Sequence, residues 1–166
     1  VKNCTFRINR DIRFSKDKSP YKDHLGVWLS SGSKGINRSG YYVHIGRSGS
    51  FIAGGLYCPE AEDLKKMRKE IAYFHEDLEG IINDKNFQKE FKDFDRNEKN
   101  ILKNPPRGYN KEHPAMDFLK LKSFETSQIF DINEVTQEGF VPKMVQKLIV
   151  LKPLNDFINR ALTSEE

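Results

Sequence analysis

From Lys2 to Ile8 the chain alternates, with Cys4, Phe6 and Ile8 on one side of an extended backbone and Thr5, Arg7 and Asn9 on the other. That period of two predicts a half-buried strand over 2–8. Residues 10–23 have no period and contain Ser19-Pro20, which predicts an ordered loop. A short apolar run predicts a strand over 24–29, and the Gly-, Ser- and Asn-rich stretch from Ser30 to Gly40 predicts a flexible connection. Two further strands, 40–47 and 50–58, are separated by Ser48-Gly49 as a tight hairpin turn. Gly54-Gly55 within the second predicts a bend of the sheet in preference to a close backbone approach.

Pro59 stops that strand, and the period then changes from two to three or four. Ala61, Leu64, Met67, Ile71, Phe74, Leu78 and Ile81 form one stripe, and Glu60, Glu62 and Asp63 in the first turn suit a helix N-terminus. This predicts a helix over 60–82 that packs on a sheet. Asp84 is placed to cap a second helix over 84–94 carrying Phe87, Phe91 and Phe94. Residues 95–113 are irregular, Pro114 to Leu119 predicts a brief helix, and 121–130 predicts a strand that returns to the sheet. A long helical pattern covers 139–163, with Pro153 expected to kink or break it. Strands joined by hairpin-length links and followed mainly by helices predict an α+β domain, a mainly antiparallel sheet covered by helices. No repeat or long linker divides the 166 residues.

Charge adds a direction to this scheme. Residues 1–58 carry ten Lys and Arg against the three acids Asp11, Asp17 and Asp23, a net of +7, whereas 59–100 carry nine against twelve. The excess therefore belongs to the β-rich third and raises the question of an anionic partner. Twelve Phe and six Tyr argue against disorder. No run approaches the ~18 apolar residues of a membrane span, so no membrane partner is expected. The two cysteines, Cys4 and Cys58, predict reduced, buried thiols and a cytoplasmic location.

Two segments hold candidate chemistry. In the run from Arg10 to Lys22, the side chains of Arg10, Arg13, Lys16, Lys18 and Lys22 could form a fork for phosphate or carboxylate groups, and Phe14 and Tyr21 could stack on rings. Equally, Asp11 and Asp17 could pair with these cations in an internal network. In the second segment, Leu102 to Pro114, Arg107 and Tyr109 could orient an anion and His113 could carry a proton. Alternatively, His113 bonds backbone at the start of a helix. Asp11, Tyr109 and His113 are the catalytic candidates. No Cys or His cluster has metal spacing, no phosphate-binding glycine loop is present, and no metal or cofactor is expected.

The block Arg10-Asp11-Ile12-Arg13-Phe14-Ser15-Lys16-Asp17-Lys18-Ser19-Pro20-Tyr21-Lys22, with Leu102–Pro114 and Leu119–Phe124, resembles a widespread microbial and fungal domain-of-unknown-function family, number 2461. Tyr41-Tyr42, Gly54-Gly55-x-Tyr57 and Pro153-Leu154-x-x-Phe157 share the resemblance, which thus spans nearly the whole chain. It implies a compact α+β fold with a further helical segment ahead of the first strand, and it implies no activity. Three functional readings follow: a module binding a phosphate-bearing ligand or nucleic acid through loop 10–22, an enzyme with its site between loops 10–22 and 107–113, or a structural domain whose loop is an ion-pair network. The pattern does not fix an oligomeric state.

Overall fold

A computed structural model describes residues 4–31 and 38–164. Strands β1 (His24–Ser30), β2 (Gly40–Gly46) and β3 (Ser50–Leu56) form an antiparallel meander, and β4 (Phe124–Phe130) adds to β3, giving the order β1-β2-β3-β4. Helix α1 (Ala61–Ile82) follows β3; α2 (Lys85–Glu90) and α3 (Met116–Leu119) precede β4. Helices α4 (Ile132–Val135), α5 (Phe140–Val150) and α6 (Lys152–Thr163) close the chain. The fold is α+β.

Helices and sheet meet because one face of each strand is apolar. Register places Val43, Ile52 and Gln128 on one face, with Leu56, Phe124 and Phe130 beside them. Ile52, Leu56 and Phe124 are fully buried with Met67 and Ile71 of α1 and Leu154 and Ile158 of α6. Strand residues alternate between faces, so Tyr42, His44, Phe51, Ala53, Glu125, Ser127 and Ile129 lie on the other side with His24, Gly26 and Trp28. That second face holds none of the fully buried side chains, and Ile129 on it is 79% exposed.

Several elements differ from the pattern. Over 2–8, residues 2 and 3 lie outside the described residues, and the remainder forms an isolated bridge, Thr5 with Val27, not a strand. Phe6 N–H donates to Gly26 O at 3.0 Å and Trp28 N–H to Cys4 O at 2.8 Å. Phe6 and Ile8 are exposed because the segment runs along the β1 edge, where no helix covers them. Residues 32–37 of the expected flexible connection likewise lie outside the described residues.

The helix expected over 84–94 ends at Glu90, because Phe91 leaves helical geometry and Lys92 turns to φ 69°. Phe91 and Phe94 are nonetheless buried, from irregular chain. Helix α1 is kinked at Phe74 (φ −129°, ψ 36°), which turns that ring of the stripe outward to 47% exposure. The pattern over 139–163 is two helices, broken at Leu151 with Pro153 in the first turn of α6, where its missing N–H costs no helical bond. The strand expected from 121 begins at Phe124, with Leu121 in a separate bridge to Ile101. Helix α4 has no apolar period to announce it; a capping box, Asp131 with Glu134, makes it. Cys4 is half-buried and Cys58 exposed, so neither thiol is a core residue. No helix among the described residues is long and apolar enough to cross a membrane.

Asp84 caps α2 as its sequence position predicts, accepting from Asn86 N–H at 2.8 Å and Phe87 N–H at 3.2 Å. Asp84→Ala should lower stability by about 1 kcal/mol, the usual worth of such a cap; urea unfolding measures it. Asp84→Asn, which keeps the acceptor, should lose much less.

Candidate functional site

Loop 10–22 is closed at its base by backbone. Arg10 N–H donates to Pro20 O at 2.9 Å, Lys22 N–H donates to Ile8 O at 2.8 Å, and Asn9 bridges Tyr21. Because the preceding residues bond to β1, the loop stands at the β1 edge of the sheet. Within it, Arg10 pairs with Asp17 and donates to Ser19 Oγ at 3.1 Å. Asp17 also accepts from the Ser19 hydroxyl and from Ser19 N–H at 2.9 Å. The Ser19 hydroxyl and amide, and then Arg10, hold the Asp17 carboxyl well below its ordinary range.

Arg13 grips Asp11 in a fork, with Nε at 2.9 Å and Nη2 at 2.7 Å, and this hydrogen bonding lowers the Asp11 carboxyl. Lys18 Nζ donates to Ile12 O at 2.9 Å. The Arg13–Asp11 pair is open to water, with side chains 76% and 59% exposed. Solvent-exposed pairs of this kind add little to stability. Asp11 and Asp17 thus shape the loop without burying its charge. Lys16 and Lys22 have no carboxylate partner among the described residues.

Two shallow grooves flank this base and share Arg10, Asp11 and Lys22. One is walled by Tyr21, Asp17 and His24; the other by Phe6, Arg7 and Arg13. A third depression continues from Asp23 and His24 across His44 to Phe51 and Ile129 on the uncovered sheet face.

Here the fold assembles residues that have no proximity in sequence. His24 stands opposite Gly46 and Gly26 opposite His44, so the two histidines are diagonal neighbours on one face. Their rings stack with centroids 4.3 Å apart, and His44 stacks on Phe51 at 4.7 Å. Gly46 and Gly26 make the room: a Cβ on Gly46 would lie 3.1 Å from His44 Nε2, and one on Gly26 would lie 2.9 Å from the Tyr42 hydroxyl. Asp23 Oδ1 holds His24 Nδ1 at 3.0 Å, Ser48 Oγ donates to Asp23 Oδ2 at 3.1 Å, and Tyr42 Oη meets His44 Nδ1 at 3.1 Å. Hydrogen bonding to His24 and then Ser48 lowers the Asp23 carboxyl. Burial, followed by the neighbouring His24, lowers His44. Only strand register brings His24, Tyr42, His44 and Phe51 together; in sequence, the Tyr41-Tyr42 pair and the alternation Tyr42-x-His44 were the available signals.

The second candidate segment lies elsewhere. His113 Nδ1 accepts from Ala115 N–H at 3.1 Å, and its ring meets His75 of α1 edge-on at 5.7 Å. Tyr109 is half-buried; burial raises its hydroxyl, and its charged neighbour is Arg68 of α1. Arg107 is exposed. Among the described residues, no hydrogen bond, ion pair or ring contact joins 107–113 to loop 10–22. Nor do the described residues contain a group of three or more His, Cys, Asp and Glu arranged to hold a metal.

Over residues 1–157 the chain matches the model of a family described as conserved hypothetical protein (DUF2461). No curated protein and no solved structure matches it.

Proposed function

We propose that this chain, which belongs to the DUF2461 family of conserved hypothetical proteins, is a single-domain binding module for a phosphate-bearing anion held beside loop 10–22. The observation that carries this reading is the open groove in which Arg7, Arg10, Arg13 and Lys22 surround one carboxylate, Asp11; the neighbouring groove shares Arg10, Asp11 and Lys22 and adds Asp17, Asp23 and His24. Arg10 is fixed by Asp17 and Ser19 and is only 29% exposed, so one guanidinium direction is ordered before any ligand arrives. Lys22 adds a cation that no described carboxylate neutralises. Arg13, exposed and paired only with Asp11, is a rim cation that can exchange its partner for phosphate at small cost. An internal ion-pair network accounts for Arg10 and Asp17 but leaves Lys22, Lys16 and Arg7 without a role.

Isothermal titration with inorganic tripolyphosphate tests the reading. The wild-type protein should bind at low ionic strength and weaken as salt rises. Lys22→Gln should weaken binding roughly tenfold, the loss of one charge-assisted contact, with an unchanged melting temperature. Unaltered affinity in Lys22→Gln, or no binding by the wild type, overturns the proposal.

A further inference from the structure

The basic segment that lines both grooves carries aromatic rings that the core does not use. Phe14 is 95% exposed, Tyr21 59% and Phe6 52%, all within the segment that carries Arg7, Arg10, Arg13, Lys16, Lys18 and Lys22. Phe6 walls one groove and Tyr21 the other, with Arg10 and Lys22 between them. Burying an aromatic side chain ordinarily stabilises a fold, yet these three stay at least half exposed. Phe6 touches Tyr42 only edge-on, at 6.1 Å, and Phe14 has the Arg13 guanidinium at 5.8 Å as its described ring contact. Free ring faces interleaved with cations match a ligand that alternates planar bases with phosphates.

Resting on the anion-binding reading above, we infer that the ligand is single-stranded nucleic acid. Its phosphates lie along Arg7, Arg10 and Lys22, and its bases stack on Phe6, Phe14 and Tyr21. Single strands fit because their base faces are free, whereas a duplex buries them in its own stack. An acidic peptide offers the charge but no planar faces for the rings. The track continues past His24 to the His44–Phe51 stack, where the Nδ1 atoms are already held by Asp23 and Tyr42 and the two Nε2 atoms have no described partner.

Fluorescence anisotropy with a labelled 12-nucleotide oligo(dT) or oligo(U), an abasic strand of the same length, a duplex and poly-glutamate decides the question. The single strands should bind at low salt with a steep salt dependence. The abasic strand and the duplex should each bind at least tenfold more weakly. Phe14→Ala and Tyr21→Ala should each weaken oligonucleotide binding about fivefold or more, the worth of one stacked base, with an unchanged melting temperature, and Phe14→Ala, which lies outside both grooves, should also leave tripolyphosphate binding unchanged. Equal affinity for intact and abasic strands, equally tight poly-glutamate or duplex, or wild-type affinity in both ring variants overturns the inference. Binding of tripolyphosphate without binding of any oligonucleotide overturns it too and leaves the anion reading standing. Binding of neither removes both.

Discussion

Gly55→Ala should destabilise the protein by about 3 kcal/mol or more, which places it in the tail of point-substitution effects. Gly55 sits in β3 at φ +114°, a region that side-chain-bearing residues avoid. A Cβ there would lie 2.0 Å from Phe124 O and 3.0 Å from Glu125 Cα in the neighbouring β4. Both are backbone atoms of a paired strand, so no side chain can swing away, and relief requires β3 and β4 to part. The same residue donates its N–H to Asn155 Oδ1 at 3.1 Å, tying the sheet to α6, so a shift of β3 also loosens the helix contact. For a domain of this size each kcal/mol corresponds to roughly 2–4 °C, so the melting temperature should fall by roughly 10 °C. Differential scanning calorimetry measures the loss. A fall below about 2 °C would show that the strand pair accommodates a methyl group, contrary to this geometry.

Glu125→Gln should stabilise the protein at pH 8 and leave it nearly unchanged at about pH 4. Glu125 lies on the uncovered sheet face but is half-buried, and its carboxyl is pushed up from 4.5 to about 7, first by burial and then by Asp95. Because the folded state binds this proton more tightly than the unfolded one, protonation favours folding. That contribution is complete below about pH 4.5 and is lost as pH rises to about 7. Above pH 7 the native state carries a poorly solvated charge at a cost on the order of 1–3 kcal/mol. Glutamine removes that cost, so the melting temperature of the variant should exceed that of the wild type by several degrees at pH 8. The curves should converge at about pH 4. A difference independent of pH would rule out Glu125 ionisation as its cause.

Both predictions turn on residues whose sequence context is unremarkable. Gly54-Gly55 in a strand pattern is compatible with a bend or a close approach, and the structure chooses the close approach. Gly54 lets Leu151 of the α5–α6 junction press to within 2.7 Å of where its Cβ would be, and Gly55 faces the Phe124 carbonyl. Phe74 belongs to the apolar stripe of α1 by spacing, yet the kink turns it outward, where the Arg160 guanidinium covers it at 4.9 Å while bonding Glu70 and Asp77. Spacing along one helix does not contain the partner helix that supplies that arginine. His113 could carry a proton or bond backbone at the start of a helix by its sequence position, and its Nδ1 accepts from the Ala115 amide.

Local signals, which depend on neighbours within a few residues, were sufficient for much of the chain. A short apolar run marked β1, and the Ser48-Gly49 turn marked β2 and β3 on either side of it. A four-residue period marked α1, Asp84 marked the start of α2, and Pro153 marked the break before α6. The charge excess and its ring-bearing loop were equally visible, because composition requires no fold. What the tertiary structure alone decided is pairwise and distant. Register stacked His24 on His44 and Phe51, backbone bonds between 8–10 and 20–22 closed the basic loop, and the sheet's second face was left to carry them. Those relations depend on which residue stands opposite which across strands. A one-residue slip would move every side chain to the other face, and for strands joined by longer connections the partner that fixes the register is not contained in the strand's own sequence.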